Sequence, residues 1–310
     1  MPANLKTIVI GTSLSEISDE IVRTGAAVAR ASGAAVWLLH VYPPTTFPPE
    51  TGAGDGQLLE QQLEILRDLL AKQAYRTGLT EAAGFDPGRL RLVMGSPPRE
   101  LLELSRQAKA DLVVIGAVEG GALHRILLGS TADEVIRKAP CPVLLARAGV
   151  AFPPLQVEIP VDLSPCSGNA LRQGLNLLAG LGAAPEAEVL FVLNPLEVAG
   201  SIQFTSDQVE RMAGKELERF VAANGPSPVP LRTRILTGYP RDTILSALEE
   251  RRTDLAILGT HGRGGFERLM LGSVAGEVVR RAGCNLLVVP PVPEPAAGTA
   301  EKREQGVLVV

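Results

Sequence analysis

The chain repeats itself. Residues 111–130 read DLVVIGAVEGGALHRILLGS and residues 254–273 read DLAILGTHGRGGFERLMLGS, at a constant offset of 143. The same offset pairs Met94-Gly95-Ser96-Pro97 with Thr237-Gly238-Tyr239-Pro240, and Cys141-Pro142-Val143-Leu144-Leu145 with Cys284-Asn285-Leu286-Leu287-Val288. Nearer the start of each copy the offset drifts. Ile8-Val9-Ile10-Gly11 corresponds to Val157-Glu158-Ile159-Pro160, and Trp37-Leu38-Leu39-His40-Val41 to Glu188-Val189-Leu190-Phe191-Val192. Loops of different length produce such a drift, because insertions are tolerated there. A period of about 145 residues is far above solenoid periods and matches one ordinary domain, so 310 residues make a duplicated domain.

The expected units are residues 1–148 and 155–292, with Ala148 to Pro154 as linker and 293–310 as a tail. The tail is rich in Pro, Ala and charge, but it ends Val307-Leu308-Val309-Val310, which is apolar enough to pack or to extend a sheet edge.

Within each copy, short apolar runs alternate with helical stretches, the signature of βαβ units and a parallel sheet. Strands are predicted at about 6–11, 35–41, 89–94, 111–116 and 142–147, and again at about 156–161, 187–193, 231–236, 254–259 and 285–290. Their continuous apolarity suits strands covered on both faces. Helices fall between them, over Ser15–Ser32, Gln57–Thr77, Arg99–Lys109, from Ser164-Pro165 onward, Asp207–Ala223 and Arg241–Arg251. The last helix of each copy is expected to start at Ser130 or Ser273, with the serine as its cap and Ser130-Thr131-Ala132-Asp133 as a capping box. The fold class is therefore α/β: two tandem doubly wound five-stranded parallel sheets, Rossmann-like, in the order 3-2-1-4-5. Ligands bind such sheets beyond the carboxyl ends of the strands, here between strands one and four.

Composition narrows the partners. A net charge of −4 without a Lys/Arg run gives no nucleic-acid footprint. No stretch of 18 apolar residues predicts a membrane span, and the N-terminal apolar run is too short for a signal peptide, so a cytoplasmic location is expected. Three cysteines, Cys141, Cys166 and Cys284, form no CxxC pair and read as small buried hydrophobes.

The chemistry concentrates after the fourth strand of the second copy. Gly259-Thr260-His261-Gly262 is followed, nine residues on, by Gly272-Ser273. Glycines at 259 and 262 permit a sharp turn and a close approach. Gly272-Ser273 sits where the last helix begins, and free N–H groups there favour an anion. Arg263 carries a charge into the intervening loop, toward phosphates or simply into solvent. Asp162 follows the first strand of this copy, with acceptor oxygens suited to a ribose hydroxyl or an adenine amine. It also fits a cap for the following helix.

This pattern resembles the universal stress protein family, over nearly all of both copies. Its ATP-binding members carry G-x2-G-x9-G-(S/T), which the second copy fits in full. The resemblance implies a site for ATP, ADP or AMP, with magnesium as a possible companion, formed by Pro160, Asp162, Val192, Leu258, Gly259, His261, Gly262, Gly272, Ser273 and Val274, with Arg263 alongside. The alternative for His261 is a loop residue that offers only its backbone. The family also pairs domains through their last strands. That implies intramolecular pairing around 142–147 and 285–290, further association of chains, a role in stress response and protein partners the sequence does not name.

The first copy departs from the pattern. Glu119 occupies the second glycine position and Ser13 stands near the place of Asp162. A carboxylate about 4 Å from a phosphate costs about 4 kcal/mol at an effective dielectric of 20, or about a thousandfold in affinity. The first copy is therefore expected to bind ATP poorly and to act as a structural partner. Arg125 and Arg268 match across the copies and suggest a structural or interface role, while His40 and His124 carry no pattern. No P-loop, GxSxG elbow, HExxH or Cys/His cluster appears, and no base for phosphoryl transfer is evident. A binding protein is the first reading. A slow ATPase or nucleotide-dependent transferase and a nucleotide-free scaffold are the alternatives.

Overall fold

The computed structural model describes residues 5–42, 55–117, 128–182, 185–195, 205–262 and 271–292. Among these, the first copy holds β1 (Thr7–Thr12), α1 (Glu16–Ser32), β2 (Ala35–Tyr42), α2 (Asp55–Arg76), β3 (Leu90–Met94), α3 (Pro97–Gln107), β4 (Leu112–Gly116), α4 (Ser130–Lys138) and β5 (Val143–Ala146). The second holds β6 (Gln156–Val161), α5 (Pro165–Gly180), β7 (Glu186–Leu193), α6 (Ser206–Ala223), β8 (Leu231–Thr237), α7 (Pro240–Glu250), β9 (Leu255–Gly259), α8 (Ser273–Arg281) and β10 (Asn285–Val289). The expected strands stand within about one residue of their predicted ends.

The strands run β3-β2-β1-β4-β5-β10-β9-β6-β7-β8 in one ten-stranded sheet. Each half has the order 3-2-1-4-5 and is parallel throughout. The halves meet where β5 and β10 pair antiparallel, with Leu145 opposite Leu286, Leu144 opposite Leu287 and Val143 opposite Val288. The two expected sheets are thus one, and neither last strand is left as an edge. Leaving those backbone groups unpaired would expose an aggregation-prone edge.

Alternation along each strand feeds two cores. Ile8 and Ile10 point to the face covered by α1, α2, α5 and α6, and Val9 points to the face covered by α3, α4, α7 and α8. Both cores run across the β5–β10 seam, since Leu144 and Leu287 share one cluster and Leu145 and Leu286 the other. Each fully buried Leu or Ile contributes about 1.5–3 kcal/mol.

Two repeated devices set the strand tips. Asp111, just before β4, accepts from the N–H groups of Lys6 and Thr7 at 2.7 and 2.9 Å. Asp254, just before β9, does the same for Leu155 and Gln156 at 2.9 Å each. At the other end, Ser15 and Ser164 cap α1 and α5, and Pro165 takes the first helical position. The residue before each cap, Leu14 or Leu163, sits at positive φ (61° and 63°). That turn carries the chain over the sheet edge.

The last helices start at Ser130 and Ser273 as expected, but their caps differ from expectation. Gly129 and Gly272 are the N-caps, Ser130 and Ser273 are already helical, and neither end carries a side-chain cap bond. The capping box at Ser130 does not form. Asp133 instead takes a two-pronged hydrogen bond from Arg137 at 2.8 and 2.9 Å. The extended backbone at each glycine (ψ 150° and 151°) moves the cap one residue earlier, where there is no side chain. The three cysteines are buried and free, and no described helix is long and apolar enough to cross a membrane.

Candidate functional site

The second copy, hereafter domain 2, carries a cavity of about 460 Å³ beyond the carboxyl ends of β6, β7 and β9. Its walls contain Pro160, Asp162, Val192, Leu258, Gly259, His261, Gly262, Gly272, Ser273 and Val274. One cavity therefore gathers ten of the residues singled out above. Arg263, Glu119, Arg125, Arg268 and His124 lie outside the described residues, as do residues 293–310, including the apolar end of the tail. Further wall comes from Phe191 on β7, Ser167 on α5, Pro240 and Ile244 on α7, and Ala275 and Val278 on α8. The motif gave no signal for these. The repeated Gly-x-Pro before α7 was the available clue to Pro240.

The cavity is apolar on one side and polar on the other. Val192, Leu258, Ile244, Phe191 and Val278 make the apolar surface. Asp162 and the uncapped start of α8 make the polar one. By position, the N–H groups of the first turn of α8 lack carbonyl partners inside the helix. No side chain at the cap serves them, and the helix dipole adds positive potential there.

The glycines have packing reasons of their own. A Cβ on Gly262 would stand 2.5 Å from Asp162 Oδ2, and one on Gly259 would stand 2.8 Å from Cys166 Sγ. Gly259 thus lets β9 approach the first turn of α5. Gly262 lets the loop close against Asp162. Gly272 is less tight, at 3.3 Å from the Thr260 carbonyl oxygen, while its own N–H donates to that oxygen at 2.8 Å. Asp162 Oδ1 accepts from the Ser164 N–H at 3.1 Å, so it shapes the turn before α5 as well as lining the cavity. Thr260 Oγ1 and His261 Nδ1 are 2.8 Å apart.

The first copy, domain 1, has a crevice of about 520 Å³ at the matching place. Ser13 stands where Asp162 stands, and its Oγ lies 2.9 Å from Ser15 Oγ. His40 replaces Phe191. Its Nδ1 lies 2.9 Å from the Thr12 carbonyl oxygen, which only accepts, so Nδ1 carries the proton. Burial, the larger effect, holds the His40 pKa below its usual value. Thr12 Oγ1 donates to Gln73 Oε1 at 2.7 Å. Gln73, fully buried, donates in turn to Asp19, which Arg76 grips through two further bonds. Hydroxyls and a neutral ring thus line the domain 1 crevice where domain 2 has a carboxylate and a phenyl ring.

A doubly wound sheet with its crevice at the switch point, built twice in one chain, defines a class of tandem α/β domains with paired ligand-sized crevices. The sequence model of the universal stress protein family matches residues 4–147 and 156–290. The chain belongs to that family, with two domains of it in tandem. A universal stress protein of Mycolicibacterium smegmatis is 29% identical over 297 residues, covering 92% of this chain and 97% of its own. One from Mycobacterium tuberculosis is 28% identical over 316 residues, covering 93% and 98%. Among solved structures, a universal stress protein from Archaeoglobus fulgidus shares the fold with a TM-score of 0.63 at 20% identity, over 92% of this chain and 98% of that one.

Proposed function

We propose that domain 2 binds ATP or a related adenine nucleotide, and that occupancy of this site biases the conformation or the partners of the protein during stress. The functional units are residues 1–148 and 155–292. The observation that carries the reading is the pairing, in one cavity of about 460 Å³, of an apolar wall with an uncapped helix start and a facing carboxylate. That volume lies within the usual range for small-molecule sites, about 300–1,000 Å³. The apolar wall at Val192 and Leu258 suits the adenine ring, Asp162 the ribose or the amine, and the glycine-lined start of α8 the phosphates. Arg263 and a magnesium ion would add charge on the phosphate side. Domain 1, with Glu119 in place of Gly262 and Ser13 in place of Asp162, takes the role of structural partner.

The test is native mass spectrometry of the purified chain, followed by calorimetry with ATP, ADP and AMP. One nucleotide per chain is expected, with binding weakened at least about tenfold by Asp162→Ala, the loss of one strong hydrogen bond to a charged group. No binding of any adenine nucleotide at millimolar concentration overturns the proposal. Turnover of ATP that is lost in Asp162→Ala would move the reading to the slow ATPase.

A further inference from the structure

We infer that domain 1 helps to read the nucleotide held in domain 2: a cationic cleft between the domains takes the outer phosphates, so that the site prefers a triphosphate to a monophosphate. This rests on the proposed nucleotide site.

The antiparallel β5–β10 seam creates the cleft. It lays the end of α4 and Pro140 of domain 1 beside the carboxyl end of β10 in domain 2. The resulting hollow, about 380 Å³, is lined by Arg106, Arg137 and Lys138 from domain 1 and by Thr260, His261 and Pro290 from domain 2. No carboxylate is among the described residues that line it. His261 also lines the nucleotide cavity. The cleft and the phosphate side of that cavity therefore share a wall, and a chain of phosphates leaving the start of α8 past His261 meets the three cations.

The cations are held but not consumed. Arg106 lies 3.7 Å from Glu103 and Lys138 2.7 Å from Glu134, each within its own helix, while Arg137 is gripped by Asp133. Side chains of Arg106 and Lys138 are 53% and 45% exposed. Such exposed pairs are worth only about 0.2–1 kcal/mol. Exchanging them for a phosphate, which carries more charge than one carboxylate and can accept from several of these cations at once, is favourable. A monophosphate ends at α8 and does not reach the cleft.

The test compares ATP with AMP by calorimetry at low salt, on the intact chain and on Arg106→Gln/Lys138→Gln. A matched control, Arg30→Gln/Lys72→Gln, removes two exposed charges elsewhere on domain 1. ATP binding should weaken about tenfold in the first variant, the effect of losing one or two charge-assisted contacts, while AMP binding and the control stay within about twofold. The exchange Glu134→Lys/Lys138→Glu keeps the helix pair, withdraws the cation by one turn and puts a carboxylate at the cleft, and should shift the ratio further in the same direction. Equal effects on ATP and AMP, or an unchanged ratio in both variants, overturn the inference and leave the nucleotide site standing. An unaltered chain that binds neither nucleotide overturns both.

Discussion

On β1 and β2 of domain 1, Val9 and Trp37 lie side by side. In domain 2 the same two places, on β6 and β7, hold Glu158 and Glu188. The third strand keeps its arginine in both. Arg91 lies over the Trp37 ring at 4.9 Å, and Arg234 comes within 3.7 Å of Glu188. Domain 2 adds Arg251 at the end of α7, where domain 1 has Ala108. Arg251 reaches Glu158 at 2.9 Å and Glu188 at 2.8 Å. Glu158 is fully buried, and neither of its oxygens has a well-aligned hydrogen-bond donor. The same fold thus tolerates an aromatic solution and an ionic one at one position. The ionic one is costly in a dry core unless every charge is matched. Glu158 and Glu188 share the half-buried Arg251 guanidinium, and Arg234 comes near Glu188 only at 3.7 Å, so the buried charges are not fully matched and a proton on Glu158 settles the difference. Burial first, then Glu188, pushes the Glu158 pKa up to about 7, against the opposing pull of Arg251 and Arg234.

The largest test of the contrast lies at the crevices. Putting the domain 1 residue into domain 2, as Gly262→Glu, should lower ATP affinity by about a thousandfold if phosphates pass this point. The new side chain would also press on Asp162, since even a Cβ there lies 2.5 Å from its oxygen. Calorimetry reads the change. An affinity within tenfold of the parent would mean that Glu119 is not what separates the two domains.

Arg251→Leu should come next. It strands two buried carboxylates and is expected to destabilise the protein by about 3 kcal/mol, seen as a lower urea midpoint. Replacing Ala108, its counterpart in domain 1, by Leu should have a much smaller effect, because no buried charge depends on it. Should both changes cost the same, the Glu158–Glu188 pair is not being held by Arg251.

The proton gives a further handle. The folded protein holds it up to about pH 7, whereas an unfolded glutamate releases it near the ordinary value of about 4.3. This contribution is therefore complete below the unfolded value, fades as pH rises, and is gone above about 7. It amounts to on the order of 2 kcal/mol between pH 5 and 8. Domain 1 has the opposite tendency. His40 is held neutral by burial, and the Asp19 pKa is lowered by hydrogen bonding to Arg76, so both weaken the fold as pH falls. Urea titrations across pH 5–8, on the parent and on Glu158→Gln, isolate the domain 2 part. Their stability difference should change with pH in the sense given, and a constant difference would refute the raised Glu158 pKa.

What the sequence made legible follows from distance along the chain. The repeat located the strands, because each strand is a local run of apolar residues. The glycine motif and Asp162 led to one cavity, because strand tips in this fold are brought together by topology alone. The caps fall on Gly129 and Gly272 and not on the serines that follow, since the choice between serine and the preceding glycine depends on the φ and ψ of that glycine. The Glu158–Glu188 pair was not visible, because it needs the register of β6 against β7. Arg251 lies a further 63 residues beyond Glu188. Phe191, Ile244 and Val278 read as ordinary core residues, and only the cavity sets them apart. Arg106, Arg137 and Lys138 belong to no motif in the sequence, and only the antiparallel seam puts them beside His261.

The smallest expected effect tests the aromatic solution directly. Arg89 and Arg91 both lie over Trp37, at 5.8 and 4.9 Å from the ring centre, and Arg91 is exposed. A cation over a half-exposed indole is worth about 0.5–1 kcal/mol. Arg91→Gln should therefore lower stability by about 0.5 kcal/mol, since Arg89 remains to cover the ring. The matching change in domain 2, Arg234→Gln, removes a partner from a buried carboxylate and should cost more. It should also raise the pH at which Glu158 loses its proton, because Arg234 is one of the two charges that pull that pKa down. A double-mutant cycle of Arg91→Gln with Trp37→Leu measures the first term apart from the area Trp37 buries. Were Arg91→Gln to cost as much as Arg234→Gln, the two arginines would be serving the strand edge and not the residues beneath them. The division between an aromatic domain 1 and an ionic domain 2 would then lose its energetic meaning.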